Sequence, residues 1–481
     1  MRLYEAVIGL EVHAQLMTES KVFCRAKHET SDEPNSNVGI VSAGLPGSLP
    51  VMNEKAVELA VRAGLALGCK IALQSQFARK NYFYPDLPKG YQISQMSEPI
   101  CEGGSLEILS ESGKKRVIAL ERIHIEEDAG KSIHSSQGTF VNLNRAGVPL
   151  IEIVSKPELK TPAEASAYLR KLHAILLFAE VCDGNLEKGN FRCDANISIR
   201  LVGEKKLGTR AELKNINSFK FIEKALEYEI ARQIAVVEGG GRIVQETRGW
   251  DSAVSKTYSM RSKEEAQDYR YFPDPDLPPL VITSHWIENI KRILPELPEQ
   301  KIARYVSNYQ LSHLDAEVLT SELGYVEYFE SCVQLGANPK TSANWICSEV
   351  LRKLKEDPSI QLSDAVFRPE SLVELLLLIE KNVISGKIAK TVFEDLWSTG
   401  ASPEKYVQEK GLIQVLDETQ IDAWVNEVLE AFPSQVAEFQ AGNEKILGFF
   451  MGEVMKRSKG KANPPMLNQK FRKVLLKGDS N

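Results

Sequence analysis

The opening residues alternate between apolar and polar side chains in the way that a half-buried β-strand does. Residues 3–13 follow this pattern, and Glu11 and His13 stand two positions apart, so a strand places both side chains on one face. Residues 148–154 and 195–200 are also strand-like, and both adjoin polar blocks. The pattern therefore predicts a sheet whose strands carry polar side chains near one rim.

Three stretches with apolar residues at helical spacing alternate with these strands. They are residues 53–67, 161–181 and 218–238. The second begins with Thr161-Pro162-Ala163-Glu164, in which Thr caps the helix, Pro occupies the first turn and Glu reaches back to the cap. This mixture predicts an α+β domain with a largely antiparallel sheet over residues 1–290.

A proline-rich segment at residues 272–279 separates this region from a part of different character. Beyond it, apolar residues recur with a period of about 3.6, interrupted by Pro, Gly and Asn, which predicts helices. We expect an all-α helical domain at residues 291–405 and a small all-α tail domain at residues 406–481. A chain of 481 residues is long enough for several such domains.

Charge and composition add two restrictions. A net charge of −6 argues against a uniformly basic surface but allows a local basic patch. The C-terminal end carries basic residues with no acid between them: Lys456, Arg457, Lys459, Lys461, Lys470, Arg472, Lys473 and Lys477. Such a run is usually a solvated face, but in an acidic chain it also indicates contact with a nucleic-acid backbone. Seven scattered cysteines, no signal-peptide pattern and no apolar run of membrane length predict a cytoplasmic protein.

Acidic residues beside histidine give the first candidate for chemistry. Glu11 and His13 share a strand face, and Glu126, Glu127 and Asp128 form an acidic run. Taken singly, the pair and the run are each typical of a solvated surface. Taken together they predict a Mg²⁺ site, because Mg²⁺ takes a few oxygen ligands and keeps its remaining positions for water or phosphate oxygens.

A second candidate is a cluster of cations and aromatic rings at residues 79–91. Arg79, Lys80 and Lys89 bracket Tyr82 and neighbouring aromatic residues. This composition suits a triphosphate and its base or an RNA end, and it also suits a packed loop with a cation–π contact. Neither a complete phosphate-binding P-loop nor a dinucleotide-binding glycine motif is present. A nucleotide would therefore bind without either cradle.

These blocks together resemble the GatB family of tRNA-dependent amidotransferase subunits. The resemblance spans essentially the whole chain. It is carried by residues 8–13, 79–86, 89–95, 124–132, 144–154, 187–189, 192–196, 212–215, 260–265, 268–273, 454–456 and 459–464.

The resemblance implies an ATP-dependent carbon–nitrogen ligase that works with two partners, a glutaminase (the A subunit) and a small strap protein (the C subunit). Glu on tRNA(Gln), or Asp on tRNA(Asn), is converted to the amide while attached to the tRNA. The GatB-type chain phosphorylates the side-chain carboxylate with ATP and Mg²⁺, and ammonia released by the glutaminase then displaces the phosphate. The helical domain resembles the part that holds the tRNA acceptor stem, and the tail resembles a module that contacts the outer corner of the tRNA.

The same resemblance assigns residues. It implies metal ligands at Glu11, His13 and Glu127, which also form the catalytic set with Lys80. Glu126 and Asp128 would support these ligands. Nucleotide or substrate contacts are implied for Lys80, Tyr82, Asp194, Asn196, Glu212 and Lys214.

Two departures from the family pattern matter. Many relatives carry four zinc-type cysteines early in the chain, whereas here only Cys24 remains beside Ala26, Gly39 and Ser42, so no zinc is expected. Asn142 stands where an aspartate is expected, which would remove one charge if that acid served the metal. An alternative is a catalytically decayed tRNA-binding scaffold of the same complex. A third alternative, a free-standing ligase that acts on a small acid, does not explain the basic tail.

Overall fold

The structure is a computed structural model that describes residues 3–29, 31–216, 218–262, 268–357, 359–414, 417–458 and 460–476. Residues 263–265 of the family-like segments, and the basic residues Lys459 and Lys477, lie outside the described residues. The chain divides into two compact units, Met1–Pro298 and Glu299–Asn481.

The first unit is built from strands and helices. Its strands are β1 (Tyr4–Gln15), β2 (Lys70–Ile71), β3 (Gln74–Ser75), β4 (Ala78–Asn81), β5 (Tyr91–Ser94), β6 (Cys101–Glu102), β7 (Ser105–Leu109), β8 (Lys115–Glu127), β9 (Lys131–Ser135), β10 (Gly138–Asn142), β11 (Pro149–Ser155), β12 (Phe191–Leu201), β13 (Ala211–Ile216), β14 (Glu246–Asp251), β15 (Lys256–Ser262), β16 (Phe272–Pro273) and β17 (Leu280–Val281). Its helices are α1 (Glu54–Ala66), α2 (Pro162–Phe178), α3 (Phe219–Glu238) and α4 (Ser284–Ile293).

A ten-stranded sheet runs through this unit in the order β15-β14-β13-β12-β1-β11-β8-β6-β2, with β7 also paired to β8. Its described strand pairs are antiparallel except for β13 and β14. The prediction of an α+β domain with a largely antiparallel sheet is confirmed. One face of β1 is apolar, since Ile8, Leu10 and Val12 are almost completely buried in a core that includes residues of α1, α2 and α3.

The start of α2 shows why the sequence forms a helix there. Thr161 Oγ1 accepts a hydrogen bond from Glu164 N at 3.1 Å, which satisfies one of the free amides of the first turn. The Glu164 carboxylate reaches back one residue further than predicted, because it accepts from Lys160 N at 2.8 Å and also pairs with Arg116. This places the beginning of α2 against β8.

The second unit is helical in its described residues, as predicted. Its helices are α5 (Pro298–Tyr309), α6 (His313–Leu319), α7 (Leu323–Gln334), α8 (Pro339–Trp345), α9 (Leu351–Glu356), α10 (Pro369–Glu380), α11 (Gly386–Leu396), α12 (Pro403–Glu409), α13 (Glu418–Ala431), α14 (Pro433–Gln440), α15 (Leu447–Arg457) and α16 (Pro464–Leu476). None of the helices in the described part of the chain combines the length and apolar character needed to cross a bilayer.

The described residues of this second unit form two apolar clusters. One extends from Tyr305 to Val407, with Leu412 packed against it, and the other extends from Ile421 to Leu475. The predicted limit between residues 405 and 406 lies inside α12, whose Val407 belongs to the first cluster. The division of the helical part into two domains therefore stays a prediction, with the change of core lying beyond α12.

Candidate functional site

The polar face of the central strands holds most of the predicted site residues. β1 lies between β11 and β12, so His13 is opposite Glu152 on one side and Arg192 on the other. Glu11 is opposite Asp194. Because side chains opposite one another in a sheet share a face, distant parts of the sequence meet here.

The first group on this face is centred on His13. Its Nε2 lies 3.4 Å from Glu126 Oε1 and 3.6 Å from Glu152 Oε2, and Glu152 Oε2 also lies 3.1 Å from His124 Nε2. Burial opposes ionisation of Glu152, but the hydrogen bond from His124 and the nearby His13 and Lys80 lower the pKa of its carboxyl group. Ligand atoms of His13, Glu126 and Glu152 lie within 4.8 Å of one another, which is suitable for a cation.

The second group is centred on Glu11. Its ligand atoms lie within 4.8 Å of those of Asp194 and Glu212. Asn196 Nδ2 donates to Glu11 Oε1 at 2.9 Å, and Lys214 Nζ donates to Asp194 Oδ2 at 2.7 Å. Burial, followed by the charges of Glu152, Glu212 and Asp194, raises the pKa of Glu11. A cation at this position would relieve that repulsion.

Lys214 is the internal cation of the second group. Its Nζ lies 3.1 Å from Glu212 Oε1 in addition to its bond with Asp194. Burial opposes its charge, yet the two carboxylates raise the pKa of Lys214. The structure thus brings Glu11, Asp194, Asn196, Glu212 and Lys214 together, as expected from the resemblance, while their ligand roles stay a prediction.

Glu127 differs from the predicted arrangement. Of the predicted metal set, His13 belongs to the first group and Glu11 to the second. Glu127 belongs to neither, because it follows Glu126 on β8 and therefore points to the other face. Its carboxylate pairs with Lys89 and accepts from Ile93 N at 2.9 Å, in a place where Glu127 is 2% exposed. Glu126, predicted as a supporting residue, contacts His13 directly.

Lys80 and Tyr82 lie beside the first group. Lys80 Nζ is 4.9 Å from the centre of the Tyr269 ring, and that ring packs edge-on against Tyr82. Burial opposes the charge of Lys80, but the carboxylates of Glu126 and Glu152 raise its pKa. The packed-loop interpretation applies to Arg79, which bonds Asp274 at 3.0 Å and Asp276 at 2.7 Å and stacks on Tyr91.

Sequence reasoning misses two kinds of residue at this site. Glu152 is an acid inside the apolar strand Ile151-Glu152-Ile153, and period-two alternation is a signal that could have found it. Tyr269 lies nearly two hundred positions after Tyr82 in the sequence, so residue spacing does not predict the contact between their rings.

The positions of the absent zinc cysteines converge in space. A β-carbon added at Gly39 would lie 2.4 Å from Cys24 Sγ, 3.2 Å from Ala26 Cβ and 3.7 Å from Ser42 Oγ. Ala26, Gly39 and Ser42 therefore pack closely around Cys24 in this loop. Asn142, at the end of β10, adjoins this loop, since its Oδ1 accepts from Asn35 N at 3.4 Å and from Asn144 N at 2.9 Å.

Comparison with known proteins identifies relatives for both structural units. Residues 6–288 match a family model described as the GatB/GatE catalytic domain, and residues 327–475 match one described as the GatB domain. A protein of Thermodesulfovibrio yellowstonii named as the B subunit of aspartyl/glutamyl-tRNA(Asn/Gln) amidotransferase is 55% identical over 473 residues, covering 98% of this chain and 99% of the relative. Proteins of the same name from Geobacter sulfurreducens and Caldanaerobacter subterraneus subsp. tengcongensis are each 53% identical, and each alignment covers 98% of this chain. They cover 99% and 100% of those relatives, respectively.

Proposed function

The chain belongs to the GatB/GatE family, and on that premise we propose that it activates the side-chain carboxylate of Glu on tRNA(Gln), of Asp on tRNA(Asn), or of both, for amidation. It is a subunit of a ligase-type enzyme, the tRNA-dependent amidotransferase. The observation that carries the proposed chemistry is the single polar face on which two acidic groups and Lys80 meet.

The reaction needs an acyl phosphate because a carboxylate is a poor electrophile with a poor leaving group. A carboxylate oxygen of the substrate attacks the γ-phosphorus of ATP, the bond from that phosphorus to the bridging oxygen breaks, and ADP leaves. Ammonia then adds to the acyl carbon, phosphate departs, and nitrogen loses a proton. Such a transfer depends on positive charge placed around the phosphoryl oxygens more than on a strong base.

The donor chemistry of both acidic groups fits a divalent cation. One offers an imidazole and two carboxylates, and the other offers three carboxylates whose repulsion contributes to the raised pKa of Glu11. We therefore assign the proposed Mg²⁺ ligands as His13, Glu126 and Glu152 in one group and Glu11, Asp194 and Glu212 in the other. Bound Mg²⁺ would neutralise phosphate oxygens.

The protein side chains have distinct tasks in this proposal. Lys80 faces the carboxylates of the first group and supplies a fixed positive charge beside the phosphates, and Tyr269 covers its ammonium group. Lys214 and Asn196 hold the carboxylates of the second group in place. The proposed partners are the A and C subunits of the amidotransferase and the misacylated tRNA, with the helical unit and its basic end contacting the RNA.

The test uses the complex of this chain with the A and C subunits. We expect ATP consumption that depends on Glu-tRNA(Gln) or Asp-tRNA(Asn), and we expect the His13→Ala variant to lose it while retaining glutamine hydrolysis. A matched control is Arg200→Gln, near the end of β12 away from Asp194, where Arg200 pairs with Glu5. A wild-type complex that binds misacylated tRNA without consuming ATP would favour the scaffold alternative.

A further inference from the structure

A pair of arginines stands at the corner of the polar face, next to the His13 group. Arg192 Nη2 donates to Asp128 Oδ2 at 3.0 Å, and Arg145 Nε lies 3.5 Å from the same oxygen. Gln15 Nε2 also donates to that oxygen at 3.1 Å. Two guanidinium groups therefore share one carboxylate, and these three side chains together carry one positive charge.

Both arginines are held by the fold and still reach the solvent. Arg145 Nε donates to Ala129 O and Nη2 to Gly130 O, at 2.9 and 2.7 Å, which fixes its direction. The side chains of Arg145 and Arg192 are each 34% exposed, whereas that of Asp128 is 5% exposed. Asp128 contacts one terminal nitrogen of Arg192, so the pair is not the bidentate arrangement that would use the guanidinium fully.

The position of this pair connects it with the proposed reaction. Arg192 is the cross-strand neighbour of His13, and Asp128 comes two residues after Glu126 on the chain. Opposite residues in adjacent strands have β-carbons about 5 Å apart, so the side chain of Arg192 leaves the sheet beside that of His13.

Charge on the polar face indicates what the arginine pair binds. An acidic substrate approaching Glu11, Glu126 and Glu152 meets carboxylates of its own sign, so it needs a local positive charge. In the proposed reaction, positive charge for the phosphate oxygens already comes from Lys80 and from the cations proposed at the two acidic groups. A planar guanidinium edge matches the two oxygens of a carboxylate better than an ammonium does.

We propose that Arg145 and Arg192, held by Asp128, form the subsite that binds the side-chain carboxylate of the aminoacyl group before its phosphorylation. This inference rests on the proposed function. It makes the two arginines specificity residues that distinguish the acid from its amide product, because Gln or Asn on the same tRNA has no negative charge to offer.

The experiment compares binding of the acid and amide forms by the complex with the A and C subunits. Stable 3′-amide-linked analogues of Glu-tRNA(Gln) and Gln-tRNA(Gln) serve as probes, and dissociation constants are measured without ATP. We expect the wild type to prefer the acid form by about tenfold or more, the size of one charged hydrogen bond. We expect Arg192→Gln to remove most of that preference, with the dissociation constant for the amide form nearly unchanged.

Two further variants keep the test decisive. Arg192→Lys retains the charge without the planar edge, so it is expected to recover part of the preference and to guard against simple misfolding. Arg200→Gln removes an arginine from the same strand near its other end and is expected to preserve the preference.

Several results would overturn the inference. One is an unchanged acid preference in Arg192→Gln. Another is an equal loss of affinity for both forms, which indicates an RNA phosphate contact. A third is a raised KM for ATP with the preference intact, which indicates a nucleotide contact. A wild type without any preference would also overturn it. Failure of the proposed function shows itself separately, as absence of tRNA-dependent ATP consumption by the wild type.

Discussion

Replacing Glu152 by glutamine tests whether the His13 group holds a divalent cation. The substitution keeps the size of a side chain that is 14% exposed and lies 3.6 Å from His13 and 3.1 Å from His124. Because the pKa of Glu152 is lowered, its carboxylate is ionised at neutral pH, and the change removes a full ligand charge.

The expected magnitude follows from binding linkage. A cation at one hundred times its dissociation constant stabilises the folded protein by about 2.7 kcal/mol. Removing one of three ligand groups is expected to weaken binding on the order of tenfold, which reduces that stabilisation by about 1.3 kcal/mol at the same concentration. For the first unit, Met1–Pro298, an unfolding entropy of about 2.1 cal/mol/K per residue converts the reduction to roughly 2 °C in the melting temperature.

Without the cation, two effects of Glu152→Gln oppose each other. The hydrogen bond to His124 loses its charge, but the repulsion by which Glu152 helps to raise the pKa of Glu11 disappears. The lowered pKa means that the carboxylate stabilises the folded state above its ordinary pKa of about 4.5 and loses this contribution as the pH falls toward the folded-state value. Wild type and variant are therefore expected to converge in acid.

The assay is thermal unfolding of the purified chain over a Mg²⁺ titration at neutral pH. Glu5→Gln is the matched control, since Glu5 lies on β1 but pairs with Arg200 and Lys160 near the other end of that strand. We expect the control to show the wild-type response to Mg²⁺. Equal Mg²⁺-induced shifts in the wild type and Glu152→Gln would refute the assignment of this carboxylate as a ligand.

Three other predictions concern the buried charges and the tail. Glu127→Gln leaves Lys89 buried without its carboxylate and is expected to cost about 3 kcal/mol of unfolding free energy. A second change, Lys89→Met, should recover most of this loss. Urea unfolding in which the double variant is less stable than Glu127→Gln would contradict the prediction. Burial lowers the pKa of Lys21 to about 8, so the wild type gains stability as the pH rises from there toward about 10.5. Lys21→Met is expected to be more stable than the wild type by about 1–3 kcal/mol at pH 7, and this advantage should shrink over that pH window in unfolding experiments. A difference that stays constant with pH would contradict the prediction. Truncation after Gln414 keeps Val407 in its core and is expected to weaken tRNA binding while glutamine hydrolysis by the complex persists; filter binding with equal tRNA affinity would contradict a role of the tail in RNA binding.

Alternation along the strands allows much of the polar face to be predicted from the sequence. It places Glu11 and His13 on one face of a strand, and β1 has that geometry. The same rule separates Glu126 from Glu127, but an acidic run of this kind is typical of a turn, where alternation does not apply. In the structure β8 continues to Glu127, so neighbouring acids point in opposite directions.

The sequence pattern does not predict contacts between distant segments. The order of strands places β1 between β11 and β12, and this order alone brings Glu152 and Asp194 to opposite sides of the first strand. The pairing of β16 with β4 similarly brings Asp274 to Arg79. Periodicity predicts which residues share a face of one element, whereas the register between elements depends on packing across the whole sheet.

The fold can hold repelling carboxylates together because the same strands are anchored on their other face. Two ionised carboxylates about 5 Å apart repel by on the order of 3 kcal/mol at an effective dielectric constant of about 20. Ile8, Leu10 and Val12 alternate with Glu11 and His13 on β1 and are almost completely buried, and each contributes about 1.5–3 kcal/mol by leaving water. Apolar burial thus offsets the repulsion and fixes the acids before a ligand arrives. A cation that binds there meets ligands already in position, so little of its binding energy is spent on reorganisation.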